Sequence, residues 1–185
     1  MQNPELDSHV AELTAIRAEA AALLAGIDPG EFNRVPGGGV WSIAQQFEQL
    51  LKTGGSFTPI FEREVAALSA ADKRATGPFR YNPLERTIIG WMNPTGIRKR
   101  IPMPVPHSLE PTIIEGDPAG MAADFDRLQV ALLESIRAAD GLDLRAANIP
   151  SPIDARVRMC LGAWFAAIIA HERYHLNKAK ALVAR

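Results

Sequence analysis

Apolar residues recur at steps of three and four along most of the chain, which is the period of one face of an α-helix. Extended runs of this pattern predict four long helices, at about 4–27, 43–68, 118–139 and 154–184. A shorter helix is predicted after Asn82-Pro83, where Leu84, Ile88 and Met92 are spaced by about one turn. No stretch alternates between apolar and polar residues as a half-buried strand does. The pattern therefore predicts an all-α protein.

The starts of the first two long helices carry capping signals. Asn3 precedes Pro4, so a side chain that can cap the helix is followed by a residue whose missing amide hydrogen is not needed in the first turn. Ser42 and Gln45 match a capping box, in which each side chain bonds the backbone amide of the other residue. Gly54-Gly55 lies inside the second helix, and each glycine costs about 1 kcal/mol relative to alanine. We therefore expect a bend or a local weakness there.

The connection between the second and third long helices, 69–117, is far longer than the links that join antiparallel neighbours. A crossover of this length lets the third helix run parallel to the second. The order is then up, down, down, up, in a four-helix bundle that forms a single domain over 1–185. In this arrangement the start of the second helix and the end of the fourth lie at the same end of the bundle.

Composition and charge exclude some classes of partner and indicate a cellular compartment. The net charge of −1 argues against nucleic acid or an anionic membrane as the main partner, and Arg98-Lys99-Arg100 is interpreted as a solvated loop. The longest uncharged apolar run, 159–170, is too short to cross a bilayer. Cys160 is the single cysteine, which excludes an internal disulfide and suits a reducing compartment. We expect a cytoplasmic protein.

His171 and His175 lie on the apolar stripe of the last predicted helix. The stripe comprises Val157, Leu161, Trp164, Ile168, His171, His175, Ala179 and Leu182. At about 100° per residue, both imidazoles fall on the side of Ile168 and face the interior. Two buried imidazoles one turn apart each need a polar partner, and a divalent metal ion satisfies both.

Residues 171–175 read His-Glu-Arg-Tyr-His, which matches the H-E-x-x-H pattern of zinc proteases. Those enzymes take a third protein ligand from further along the chain. Here only ten residues follow His175, and none is a histidine or an acid. A metalloprotease is therefore disfavoured. Glu172 is a candidate general base, with pairing to a lysine or arginine as the alternative.

Several motifs, in their order and spacing, resemble the DinB-like superfamily. They are Trp41-Ser42-Ile43-Ala44 at a helix start, Glu48 and Leu50 soon after, and the late His171-x-x-x-His175 followed by Leu176. The resemblance covers nearly the whole chain. It implies an up-down-down-up four-helix bundle, often dimeric, with a divalent metal held by three histidines. It also implies a small-molecule or thiol ligand, because characterised relatives include metal-dependent thiol transferases and isomerases.

The chain departs from this family pattern at Gln49, where the first histidine ligand is expected. An amide oxygen is a weak ligand for zinc or nickel compared with imidazole. Gln49 also lies off the main apolar stripe, so it either lines the pocket or faces water. One hypothesis is a metal site formed by His171, His175 and Gln49 in a transferase or hydrolase, with His107 as a possible substitute ligand. The alternative is a non-catalytic, dimeric bundle with a vestigial site.

Overall fold

A computed structural model describes residues 1–93, 106–112 and 115–183. Arg98-Lys99-Arg100 and the last residue of the fourth predicted helix lie outside these ranges. The described chain is mostly helical, which confirms the all-α prediction. Its elements are α1 (Pro4–Leu24), α2 (Pro29–Asn33), α3 (Ile43–Ala70), α4 (Pro83–Met92), α5 (Pro118–Ala138), β1 (Ile149–Pro150), β2 (Arg158–Met159) and α6 (Leu161–Val183). None of the described helices is both long enough and apolar enough to cross a bilayer.

The predicted helix starts are confirmed at the level of individual caps. The Asn3 side chain accepts a hydrogen bond from the backbone amide of Glu5 at the start of α1. Ser42 and Gln45 form both halves of the capping box that opens α3. These bonds satisfy amides that have no partner within the first turn, so local sequence alone determines where α1 and α3 begin.

The predicted start of the last helix at residue 154 is wrong, because α6 begins at Leu161. The preceding residues form the two-stranded antiparallel pair β1–β2, which the sequence pattern did not indicate. The Asp154 side chain accepts a bond from the backbone amide of Arg156, and Val157 accepts one from the amide of Ser151. Such turns compete with helix for the same backbone groups. The first long helix also ends earlier than predicted, at Leu24.

The four long helices surround one hydrophobic core. Helix α1 packs on α5 and α6, and α3 packs on the same two helices. The largest fully buried side chains are aromatic: Trp164, Phe32, Phe47, Phe57, Phe61, Phe125 and Phe165. Helix α4 packs outside this arrangement, against α6.

Side-chain pairs show the relative directions of the helices. Phe47 packs edge-on against Phe125, and Leu128 lies so close to Gly54 that a Cβ there would be 2.6 Å from it. Later residues of α3 thus meet later residues of α5, and the two helices run in the same direction. The close approach of Leu128 is also a structural reason for glycine at 54 in the middle of α3.

Helix α6 runs opposite to α3. Phe57 packs against Trp164 with ring centroids 4.8 Å apart, while the earlier residue Gln46 forms a hydrogen bond with the later residue His175. Helix α1 likewise runs opposite to α5. The start of α1 is bonded to the end of α5, because the backbone amide of Gln2 donates to the Asp140 carboxylate.

A polar cluster lies where α1, α4 and α6 begin. Tyr81 bonds Nε2 of His9 at 3.2 Å, and the thiol of Cys160 donates to the Glu85 carboxylate at 3.0 Å. Burial, followed by the Glu85 contact, raises the pKa of Cys160 to about 12. The thiol is therefore uncharged at neutral pH, as expected of a buried core residue and not of a nucleophile.

His9 should make the protein less stable in acid. Burial lowers the pKa of His9 to about 4, so the unfolded chain binds a proton that the folded chain excludes between pH 6.5 and 4. The free energy of unfolding falls as the pH decreases through this window, by up to about 3 kcal/mol from this group. In His9→Gln, which can still bond Tyr81, denaturant unfolding should show a smaller loss between pH 7 and 4. Equal losses in the two proteins would contradict this role for His9.

Candidate metal site between helices α3 and α6

His171 and His175 both point into the protein interior, as the apolar stripe predicts. They are 8% and 5% exposed, and their ring centroids are 4.4 Å apart with an angle of 56° between the ring planes. The four-residue spacing on α6 places the two rings one turn apart on the side that meets α3. The structure thus brings both predicted nitrogen donors together.

His175 is held from two directions. Its Nδ1 forms a hydrogen bond with Oε1 of Gln46 on α3 at 2.7 Å, and its ring stacks on Trp41 with centroids 5.9 Å apart. Within the described residues, Nε2 of His175 and both ring nitrogens of His171 have no hydrogen-bond partner. Ring nitrogens without partners in a buried environment are available to a ligand.

Gln49 is buried, with 3% of its surface exposed, so the sequence alternative in which it faces water is wrong. Its Nε2 donates to Oγ1 of Thr53 at 3.3 Å, and its Oε1 has no partner. Gln49 is one turn beyond Gln46 on α3, and His171 is one turn before His175 on the antiparallel α6. Gln49 and His171 therefore lie at about the same level of the α3–α6 interface.

Both histidines are uncharged at neutral pH. Burial lowers the pKa of His171 to about 4. Burial also lowers the pKa of His175 well below its usual value, with a further contribution from neighbouring His171. A neutral imidazole keeps the lone pair that coordinates a metal, so neither ring must lose a proton before binding at pH 7.

Glu172 lies in the core and pairs with no lysine or arginine among the described residues, unlike the alternative that the sequence offered. Its carboxylate, in a residue 1% exposed, accepts two bonds from Nε2 of Gln129 on α5, at 3.0 and 2.9 Å. Burial raises the pKa of Glu172 to about 8, and the Gln129 bond opposes this shift. Both carboxyl oxygens of Glu172 are thus bonded to Gln129, whereas a general base would direct one of them at a bound water.

His107 lies apart from the buried pair. Its side chain is 97% exposed and its Nδ1 contacts the Glu110 carboxylate at 3.1 Å. The segment around it is attached to the outside of α3, where Lys52 donates to the carbonyl of Glu110 and the Glu48 carboxylate accepts from Thr112. The structure therefore gives no support to His107 as the substitute ligand.

Two glutamines of the site could not be assigned a role from the sequence: Gln46, which forms a hydrogen bond with His175, and Gln129, which donates to Glu172. A signal for Gln46 was present, because it recurs with Leu50, Thr53 and Phe57 at the spacing of a helical face. Gln129 likewise precedes Leu132 and Ile136 on the buried face of α5. A polar residue in such a series predicts a buried hydrogen bond but does not indicate its partner.

The donor set fits a metal ion that imidazole binds well. Two buried neutral rings and the unpartnered Oε1 of Gln49 lie at one helix interface. However, the described ranges contain no group of three or more His, Cys, Asp or Glu side chains that could hold an ion. The site is thus two imidazoles and an amide, without a negative charge.

Comparison with known proteins places the chain within one family. The model of the DinB superfamily matches residues 12–179, a range that includes both histidines and Gln49. No curated protein and no solved structure matches the chain.

Proposed function

Since the chain belongs to the DinB superfamily, we propose that it binds a divalent metal ion through His171, His175 and Gln49. The observation that carries this proposal is the pair of buried imidazoles 4.4 Å apart on α6, with the unpartnered Oε1 of Gln49 at about the same level of α3. A buried polar atom without a partner costs about 1–3 kcal/mol, and a coordinated ion would remove that cost at Oε1 of Gln49.

We also propose that the domain, over 1–185, is the up-down-down-up four-helix bundle formed by α1, α3, α5 and α6. The parallel α3–α5 pair and the antiparallel α1–α5 and α3–α6 pairs support this order. The starts of α1 and α6 are both close to Phe79, which bonds Glu5 and packs on Gly162. The proposed site lies in the α3–α6 interface, at the end of the bundle where α3 begins.

The neutral donor set determines what ion the site would accept. Imidazole suits zinc and nickel, and the absence of a carboxylate or thiolate among the three donors leaves the charge of the ion uncompensated. Affinity should therefore be lower than for a three-histidine site. When bound, the ion would act as a Lewis acid or lower the pKa of a coordinated water or thiol, as a metal-dependent transferase or hydrolase requires.

The chain's own residues provide the setting for such chemistry. Trp41 covers one face of His175, and Gln46 fixes its edge. Three protein donors leave positions open for a small molecule or thiol, as catalytic metal sites do. A homodimeric state and a cytoplasmic location stay predictions from the resemblance and from composition.

Gln49→His should tighten metal binding by about tenfold or more, because it replaces a weak amide oxygen with a third imidazole. The measurement is a competition titration of the metal-free, untagged protein with zinc or nickel against a chelating dye. Glu62→His is the matched control, since it adds a histidine at an exposed position of the same helix. We expect the control to leave the affinity of the site unchanged.

Equal affinity in Gln49→His and the native protein would show that residue 49 is not in the metal site. If the native protein binds no zinc, nickel or manganese, the proposed function is wrong. The chain would then be a non-catalytic bundle with a vestigial site, in which the histidines serve packing alone.

A further inference from the structure

The contact between Gln46 and His175 determines which atom of His175 faces a ligand. Oε1 of Gln46 and Nδ1 of His175 are 2.7 Å apart, and both side chains are buried. We propose that Gln46 is a positioning residue that holds His175 in the Nδ1–H tautomer, so that Nε2 is the donor atom offered to the metal. The role of Nε2 as a metal ligand rests on the proposed function, but the tautomer of His175 can be tested without metal.

The tautomer follows from the chemistry of the two groups. A neutral imidazole has one N–H and one lone pair, and an amide oxygen can only accept a hydrogen bond. Nδ1 must therefore carry the proton, and the lone pair is on Nε2. The opposite tautomer would require the Gln46 amide to turn by 180°, so that its Nε2 and not its Oε1 faces Nδ1.

The ring has little freedom to escape this contact. Trp41 stacks on it with 14° between the ring planes, and Tyr174 meets it edge-on with centroids 5.2 Å apart. These two rings restrict the plane of the imidazole, and Gln46 decides which edge faces α3. In metal sites, an acceptor on the non-coordinating nitrogen similarly fixes the tautomer and raises the basicity of the ligand.

Three glutamines near the start of α3 have separate roles. Gln45 closes the capping box with Ser42, and Gln49 bonds Thr53. In the described part of the chain, Gln46 is the one of the three that contacts a histidine. Gln45 therefore provides a control, because its loss should weaken α3 without changing the hydrogen bond of His175.

Long-range ¹H–¹⁵N spectra of the metal-free protein at pH 7.5 report which ring nitrogen is protonated. We expect the Nδ1–H form of His175 in the native protein, in Gln45→Ala and in Gln46→Glu, which keeps an acceptor. Gln46→Leu removes the acceptor and should shift His175 toward the Nε2–H form. An Nε2–H signal in the native protein would overturn the inference. This outcome is measured on the native protein alone, so it does not depend on whether a variant folds.

Zinc or nickel titration then tests the consequence. Gln46→Leu should weaken binding by about 10–100-fold, while Gln46→Glu and Gln45→Ala should bind within a few fold of the native protein. Native affinity in Gln46→Leu would overturn the positioning role. A native protein that shows the Nδ1–H form but binds no metal would support the tautomer assignment and contradict the proposed function, so the two failures are distinguishable.

Discussion

His171→Ala is expected to abolish stoichiometric binding of zinc or nickel. The proposed site has two imidazoles and one weak amide donor, so the variant keeps a single imidazole. The loss should exceed the roughly 10–100-fold effect of changes to residues that only support a ligand. Stability should also fall, because His171 is 8% exposed and the removal of its ring leaves a cavity.

The measurement is the metal content of untagged protein after incubation with excess metal and removal of the unbound ion. His107→Ala is the matched control, because it removes an exposed histidine that lies apart from the buried pair. We expect one metal ion per chain in the native protein and in the control, and close to none in His171→Ala. Equal metal content in the native protein and in His171→Ala would contradict the proposed site.

Gln129→Met is expected to destabilise the fold by about 3 kcal/mol. Within the described residues, Gln129 donates both hydrogen bonds that the buried Glu172 carboxyl group accepts, and its loss leaves that group in an apolar core. Removing one partner of a buried polar pair costs more than the pair contributes, because the remaining group is neither solvated nor bonded. Methionine keeps a similar length and flexibility, so a large cavity is not the cause.

The double variant Gln129→Met/Glu172→Met separates this cause from disturbed packing. Replacing both members by apolar groups of similar shape is often nearly neutral, so the double variant should recover most of the lost stability. Urea unfolding of the native protein, both single variants and the double variant completes the cycle. A double variant less stable than Gln129→Met would show that packing, rather than the unpaired carboxyl group, determines the effect.

The helices and the inward orientation of the histidines could be predicted from the sequence. Helical periodicity and N-terminal capping depend on residues within about one turn, so Ser42 and Gln45 suffice to place the start of α3. The apolar stripe of α6 likewise places His171 and His175 on its buried side, because the phase of a helix is determined by its own residues.

The tertiary structure alone decided the surroundings of these side chains. The partner of His175 is Gln46, 129 residues earlier, and the partner of Glu172 is Gln129, 43 residues earlier. Which buried polar groups meet depends on how helices far apart in sequence pack, and no local period contains that information. The same reason explains Gln49, which lies off the main stripe of α3 but is covered by neighbouring helices, and the start of α6, which the β1–β2 pair delays to Leu161.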